Sequence, residues 1–187
     1  RAKLRMEQLP EPVDYSLAYP LYAWLLSHIS SEDGNRLHEQ GVRPIHQYLS
    51  YNPKTKECWW MVHLLNDETV GLFAPILENT MEARLHSGVI GFAACELEQI
   101  DTPYTFIQRA ASLSLDRRFP LEFLTPTSFK QSGRYVIFPQ ESLILQSLIA
   151  HWGMCFPEMP LDDADVFVAM QQGLHIVDYR LQTLRYP

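Results

Sequence analysis

The sequence predicts an α+β protein, and three observations carry that reading. Short segments that alternate apolar and polar residues, as half-buried strands do, open the chain and recur along it. Between them lie stretches whose apolar residues fall at helical spacing. From Leu121 the order strand, strand, helix starts again. With 187 residues, 47% hydrophobic and 20% charged, the chain can build one large domain or two small ones around a real core.

The elements follow in order. Ala2–Leu9 alternates, with Leu4, Met6 and Leu9 on one side, and reads as a strand ended by Pro10 and Pro12. Tyr15–Ile29 reads as a helix with Leu21, Trp24, Leu25 and Ile29 on one face. A short helix follows Ser30-Ser31, with Glu32 and Asp33 in its first turn and Gly41 as its C-cap. Ile45–Leu49 and Trp59–Leu65 read as strands. Asn66-Asp67 caps a helix that places Val70, Phe73, Leu77 and Met81 on one face and carries an awkward Pro75. Val89–Leu97 is a strand and Ile100–Pro103 a turn. Pro103, at the first helical position, opens a helix over Tyr104–Leu113. This succession suits a ferredoxin-like αβ sandwich.

The second half opens with two apolar runs, Leu121–Leu124 and Tyr135–Phe138, read as strands flanking a polar loop. A helix then places Ile144, Leu145, Leu148, Ile149 and Trp152 on one stripe, with Glu141 in its first turn. Asp162–Met170 reads as a short helix or strand. Leu174–Leu184 alternates and reads as a strand.

Composition excludes several classes. No apolar run of about 18 residues exists, so no membrane span is expected, and no signal peptide is visible. Cys58, Cys95 and Cys155 are odd in number and widely spaced, which points to a reducing cytoplasm rather than a disulfide frame or zinc cluster. The net charge of −7 argues against strong nonspecific nucleic-acid binding, yet leaves room for a local basic path.

Few residues offer chemistry. Seven histidines are present, and none shows the spacing of a helical metal motif. His38 ends a short polar helix and is expected to be exposed, with Arg43 and His46 close behind and Tyr22 on the preceding helix. Imidazole, phenol and guanidinium suffice for phosphodiester cleavage without metal. The same His38 also fits a surface residue favoured by a helix C-terminus. His46 is the alternative to His38, and His28 a weaker one. His63 alternates with Met61 and Leu65 and reads as a satisfied or half-buried histidine. In the loop 125–134, Lys130, Arg134, Thr127 and Ser128 surround a flexible Gly133, which makes either a phosphate cradle or an ordinary hairpin loop.

Two stretches together resemble a known family. Thr125-Pro-Thr-Ser-Phe-Lys130, with Gly133-Arg134, Phe138-Pro139 and Ser142-Leu143 through Trp152, is similar to the middle segment of the CRISPR repeat-processing endoribonucleases of the RAMP superfamily. Leu21-Tyr22, Leu37-His38-Glu39, Gly41 and Arg43-Pro44 are similar to their N-terminal segment. The resemblance implies tandem ferredoxin-like (RRM-like) domains. One covers 1–115 and holds the catalytic segment. The other covers 116–187, is partial, and carries the RNA-binding loop 125–134.

It further implies cofactor-free, metal-independent cleavage of CRISPR repeat RNA, leaving a 5′-hydroxyl and a 2′,3′-cyclic phosphate. His38 would be general acid or base, Tyr22 would position the 2′-OH, and Arg43 would stabilise the transition state. CRISPR effector subunits and a second copy of the chain are the expected protein partners, with no membrane. The family's glycine-rich C-terminal loop is not seen, and Leu181–Pro187 reads as the strand that would lead into it. The alternative functions are a non-cleaving guide-RNA hairpin holder in an effector complex, and a purely protein-binding ferredoxin-like module.

Overall fold

In the computed structural model, the described residues are 1–7, 13–39, 44–99, 102–112, 118–125, 127–161 and 163–181. Strand β1 (Ala2–Met6) buries Ala2, Leu4 and Met6 and turns Lys3 and Arg5 the other way. The continuation expected at Leu9 lies outside the described residues. The single helix expected over Tyr15–Ile29 is shorter and divided. A 3-10 turn (Tyr15–Leu17), capped by the Asp14 carboxylate on Ser16 N–H, leads into α1 (Ala18–Leu26). The helix stops there because the Ser27 hydroxyl donates back to the Trp24 carbonyl at 2.7 Å, ending the ladder. Helix α2 (Ser31–Glu39) begins where Ser30 Oγ accepts from Asp33 N–H at 3.0 Å. Its expected cap, Gly41, lies outside the described residues.

Strands β2 (Ile45–Asn52) and β3 (Glu57–Leu64) form a hairpin whose tip carries Lys54 and Lys56. Helix α3 (Asp67–Glu78) starts with a reciprocal capping box between Asn66 and Thr69. Its buried line is Thr69, Phe73 and Leu77. Val70 and Met81, expected on that face, are exposed. Val70 sits at the rim, and the chain leaves the helix at Asn79-Thr80 before Met81. The short strand β4 (Glu82–Leu85), which the sequence did not announce, then pairs with β5 (Gly88–Leu97).

All neighbouring strands run antiparallel in the order β2-β3-β1-β5-β4. With α1–α2 joining β1 to β2 and α3 following β3, this is the βαββαβ ferredoxin-like arrangement with β4 added at one edge. The unit comprises Arg1–Ile100. Leu21 and Leu25 of α1, Leu37 of α2, and Phe73 and Leu77 of α3 pack on Leu4, Met6, Leu49, Trp60, Val62 and Phe92 of the sheet. The three helices therefore cover one face.

The other face carries Lys3, Arg5, His46, Tyr48, Trp59, Met61 and His63, by the alternation of the strands. There His63 is half-buried, directly opposite His46, with its ring centroid 5.9 Å from that of Tyr48. Half-buried is as expected, but its buried Nε2 has no hydrogen-bond partner, so it is not satisfied. Burial, with the Arg1 guanidinium adding, lowers its pKa to about 4 from 6.5. Between those values the unfolded chain binds a proton that the folded chain refuses. Stability is therefore full above pH 6.5 and falls on acidification towards pH 4. His63→Phe removes both the orphaned nitrogen and this window. Urea melts should show a gain of about 1 kcal/mol at pH 7 and a flatter profile at pH 5. An undiminished acid loss would assign the window to other groups.

The second unit comprises Asp101–Pro187. Helix α4 (Pro103–Ser112) is capped by Thr102, whose Oγ1 accepts from Thr105 N–H at 3.3 Å. The strand expected over Leu121–Leu124 does not form, and Leu121, Phe123 and Leu124 are exposed. The hairpin lies further on, between β6 (Phe129–Gln131) and β7 (Arg134–Val136). Its two-residue turn, Ser132-Gly133, has φ of 49° and 78°, the pattern of a type I′ turn that matches strand twist. This local closure wins over pairing across a longer loop.

In helix α5 (Glu141–Cys155), Leu143, Ile144 and Leu145 are buried, whereas Leu148, expected on the stripe, is 55% exposed. Trp152 is fixed by Nε1–H donation to the Met159 carbonyl at 2.7 Å and by the rings of Phe156 and Phe106. Helix α6 (Ala164–Gly173) is capped by Asp163. The strand expected over Leu174–Leu184 is absent across 174–181. There the Ile176 N–H donates to Glu141 Oε1 at 2.9 Å, a side-chain partner in place of a strand ladder. That bond lowers the Glu141 pKa. The remainder, 182–184, lies outside the described residues.

Candidate active site and nucleic-acid interface

Leu37 plugs into the core of the first unit, and this anchors the last turn of α2. His38, the next residue, is consequently turned out to solvent. The helix is pinned sideways as well. Arg36 donates through Nε to Glu68 Oε1 in the first turn of α3 and through Nη2 to Asp33, both at 2.6 Å. These bonds raise the Arg36 pKa, the Glu68 bond contributing most. Arg36 is therefore engaged in holding α2 against α3. Ser30, donating at 2.6 Å, is the main cause of the lowered Asp33 pKa.

Tyr22 follows the buried Leu21 on α1, is half-buried, and packs at the margin of the same core. Tyr22 and His38 thus stand on two of the three helices that cover one face of the sheet. Arg43 lies outside the described residues. His46 is exposed, but Ile45 beside it is core. Strand alternation therefore sends His46 to the helix-free face with His63, so the sheet separates it from the α1–α2 layer. His28 is exposed at the end of α1. Its Nδ1 lies 2.8 Å from the Trp24 carbonyl, so that nitrogen carries the proton, and its ring sits tilted by 49° against Trp24, centroids 4.3 Å apart. Nε2 of His28 is left as an acceptor in the neutral ring. Among the described residues, no group of three His, Cys, Asp or Glu could hold a metal ion.

In the second unit, the register of β6 and β7 sorts the predicted binding residues. Phe129 pairs with Val136, Lys130 with Tyr135, and Gln131 with Arg134. Directly paired residues share a face, and successive residues alternate. Phe129 and Val136 are half-buried on the inner side, where Phe123 meets Phe129 edge-on at 6.3 Å. Lys130 and Tyr135 point outward. Lys130 and Arg134, expected together in one loop, are therefore on opposite faces of the ribbon, although both are exposed. The Thr127 hydroxyl is spent locally on the Thr125 carbonyl at 2.9 Å, and Ser128 is exposed.

Most described cations of the first unit are paired with carboxylates, although among the described residues Lys54 at the β2–β3 tip is not. Arg1, Lys3, Arg5, Arg36 and Arg84 are each paired with a carboxylate. Among the described residues, Lys130 and Arg134 form no such pair. No acidic residue stands between Glu122 and Glu141. An acidic chain thus keeps a locally positive ribbon. Tyr135, beside Lys130, was missed by sequence reasoning because only the strand register puts the two together.

Two solved Cas6 product complexes share the fold. One has a TM-score of 0.61 at 23% identity, covering 82% of this chain and 62% of that one. The other has a TM-score of 0.60 at 21% identity, covering 91% and 70%. The family described as CRISPR-associated endoribonuclease Cas6 matches residues 121–175. The Cas6 endoribonuclease of Streptococcus thermophilus is 28% identical over 169 residues, which cover 89% of this chain and 68% of the relative. That of Mycobacterium tuberculosis is 30% identical over 135 residues, covering 71% of this chain and 43% of the relative. By sequence, the chain is similar to the CRISPR-associated endoribonucleases of the Cas6 class. Residues 121–175 carry the match to the Cas6 family itself.

Proposed function

We propose that this protein cleaves CRISPR repeat RNA without a metal ion, maturing guide RNAs by attack of a 2′-OH on the adjacent phosphodiester. The observation that carries the reading is the exposed His38 at the end of α2, held in place by the buried Leu37 and the Arg36–Glu68 tie. Neutral His38 takes the 2′-OH proton, and the 2′-oxygen bonds to phosphorus. The phosphorus–5′-oxygen bond breaks, and the departing oxygen collects a proton from an imidazolium. The products are a 2′,3′-cyclic phosphate and a 5′-hydroxyl. Tyr22, on the same helical layer, positions the nucleophile, and Arg43 offsets charge on the pentacoordinate phosphorus. The placement of His46 beyond the sheet favours His38 over it. The ribbon carrying Lys130 and Arg134 supplies phosphate contacts in the second unit, as half of a tandem ferredoxin-like arrangement.

The test is incubation of the protein with the repeat RNA of its own locus in excess EDTA, with the product ends identified by mass spectrometry. Cleavage leaving a cyclic phosphate is expected. Tight binding without cleavage at any pH would instead support the guide-RNA holder.

A further inference from the structure

We propose that Tyr135 is a base-stacking residue: the Lys130–Tyr135 face of the β6–β7 ribbon takes one unpaired nucleotide, its base on the phenol ring and its phosphate on the ammonium. The inference rests on the RNA reading above and specifies which part of the RNA this ribbon meets. Four observations converge. Tyr135 is 75% exposed, so its ring is open to a flat partner. It sits directly across from Lys130 on the outward face, so ring and cation are neighbours at cross-strand distance. The inner face of the same ribbon is anchored by Phe129, Val136 and Phe123, so the outward pair is presented on a fixed support.

Finally, Lys130 has no carboxylate partner among the described residues, and the ribbon lacks acidic residues, so its charge is available to a polyanion. An aromatic ring beside a free cation is the chemistry that holds single-stranded nucleic acid. It is not suited to a duplex, whose bases are already stacked. The occupant is therefore an unpaired nucleotide.

The experiment uses repeat RNA carrying 2-aminopurine singly at successive positions outside any base-paired region. Binding to the parent protein, Tyr135→Phe, Tyr135→Ala and Lys130→Ala is measured by fluorescence and by filter binding. The parent should change the fluorescence at one such position, and Tyr135→Phe should keep that signal. Tyr135→Ala should abolish it and weaken binding about 5- to 100-fold. Lys130→Ala should weaken binding and reduce the salt slope by about one.

Because Tyr135 is exposed, circular dichroism should show all variants folded. A parent that binds and cleaves while Tyr135→Ala binds within twofold of it would overturn the stacking role alone. A parent that binds no repeat RNA even at low salt would overturn the RNA reading, and this proposal with it.

Discussion

His38→Ala is expected to lower the single-turnover cleavage rate by about 100- to 10,000-fold, the range for losing a positioned acid or base. RNA affinity should stay within about threefold, since phosphate binding comes largely from Lys and Arg. The variant should fold normally, because His38 is exposed and the packing of α2 rests on Leu37 and Arg36. His46→Ala, on the far side of the sheet, should change the rate little. A large loss at His46 with a normal His38→Ala would reverse the assignment.

Trp60→Ala is expected to destabilise the first unit by about 3–5 kcal/mol, the usual cost of truncating a buried Trp or Phe. Trp60 is fully buried at the centre of the core. Its ring stacks 5.9 Å from Phe92 and meets Trp24 edge-on at 6.3 Å. Its Nε1–H donates to Gln47 Oε1 at 2.9 Å, so truncation also strips Gln47 of a donor. The loss includes the seat of α1, because Trp24 leans on this ring. Urea unfolding followed by far-UV circular dichroism reads the effect. Trp60→Phe should recover part of it. A loss under about 1 kcal/mol in Trp60→Ala would show that the core is arranged otherwise.

Much of the first unit was legible because its signals are local. Ala2, Leu4 and Met6 alternate, and Ser30 and Asn66 cap. The same holds in the second unit for Pro103, which opens a helix where its missing N–H costs nothing. What failed depended on partners distant in sequence. Strand β4 is short and mostly exposed, and only pairing with β5 makes it a strand. The Leu121–Leu124 run has strand composition, but the Ser132-Gly133 turn assigns pairing to Phe129–Gln131 instead. Leu174–Leu184 alternates convincingly, yet over 174–181 its backbone bond goes to Glu141.

The candidate chemistry divides in the same way. His38 could be singled out from its place at the end of a polar helix. The separation of His46 from it needed the sheet, and the opposition of Lys130 and Arg134 needed the register.

The central claim is that a ribose hydroxyl of the RNA, activated by this protein, breaks the chain. The most direct measurement compares the repeat RNA with the same RNA carrying a single 2′-deoxy nucleotide at the cut site, both incubated with the protein in EDTA. Cleavage of the all-ribose strand, with the deoxy strand bound equally and left intact, is the predicted result. Cleavage of both strands would mean that water or another nucleophile attacks, and would contradict the account.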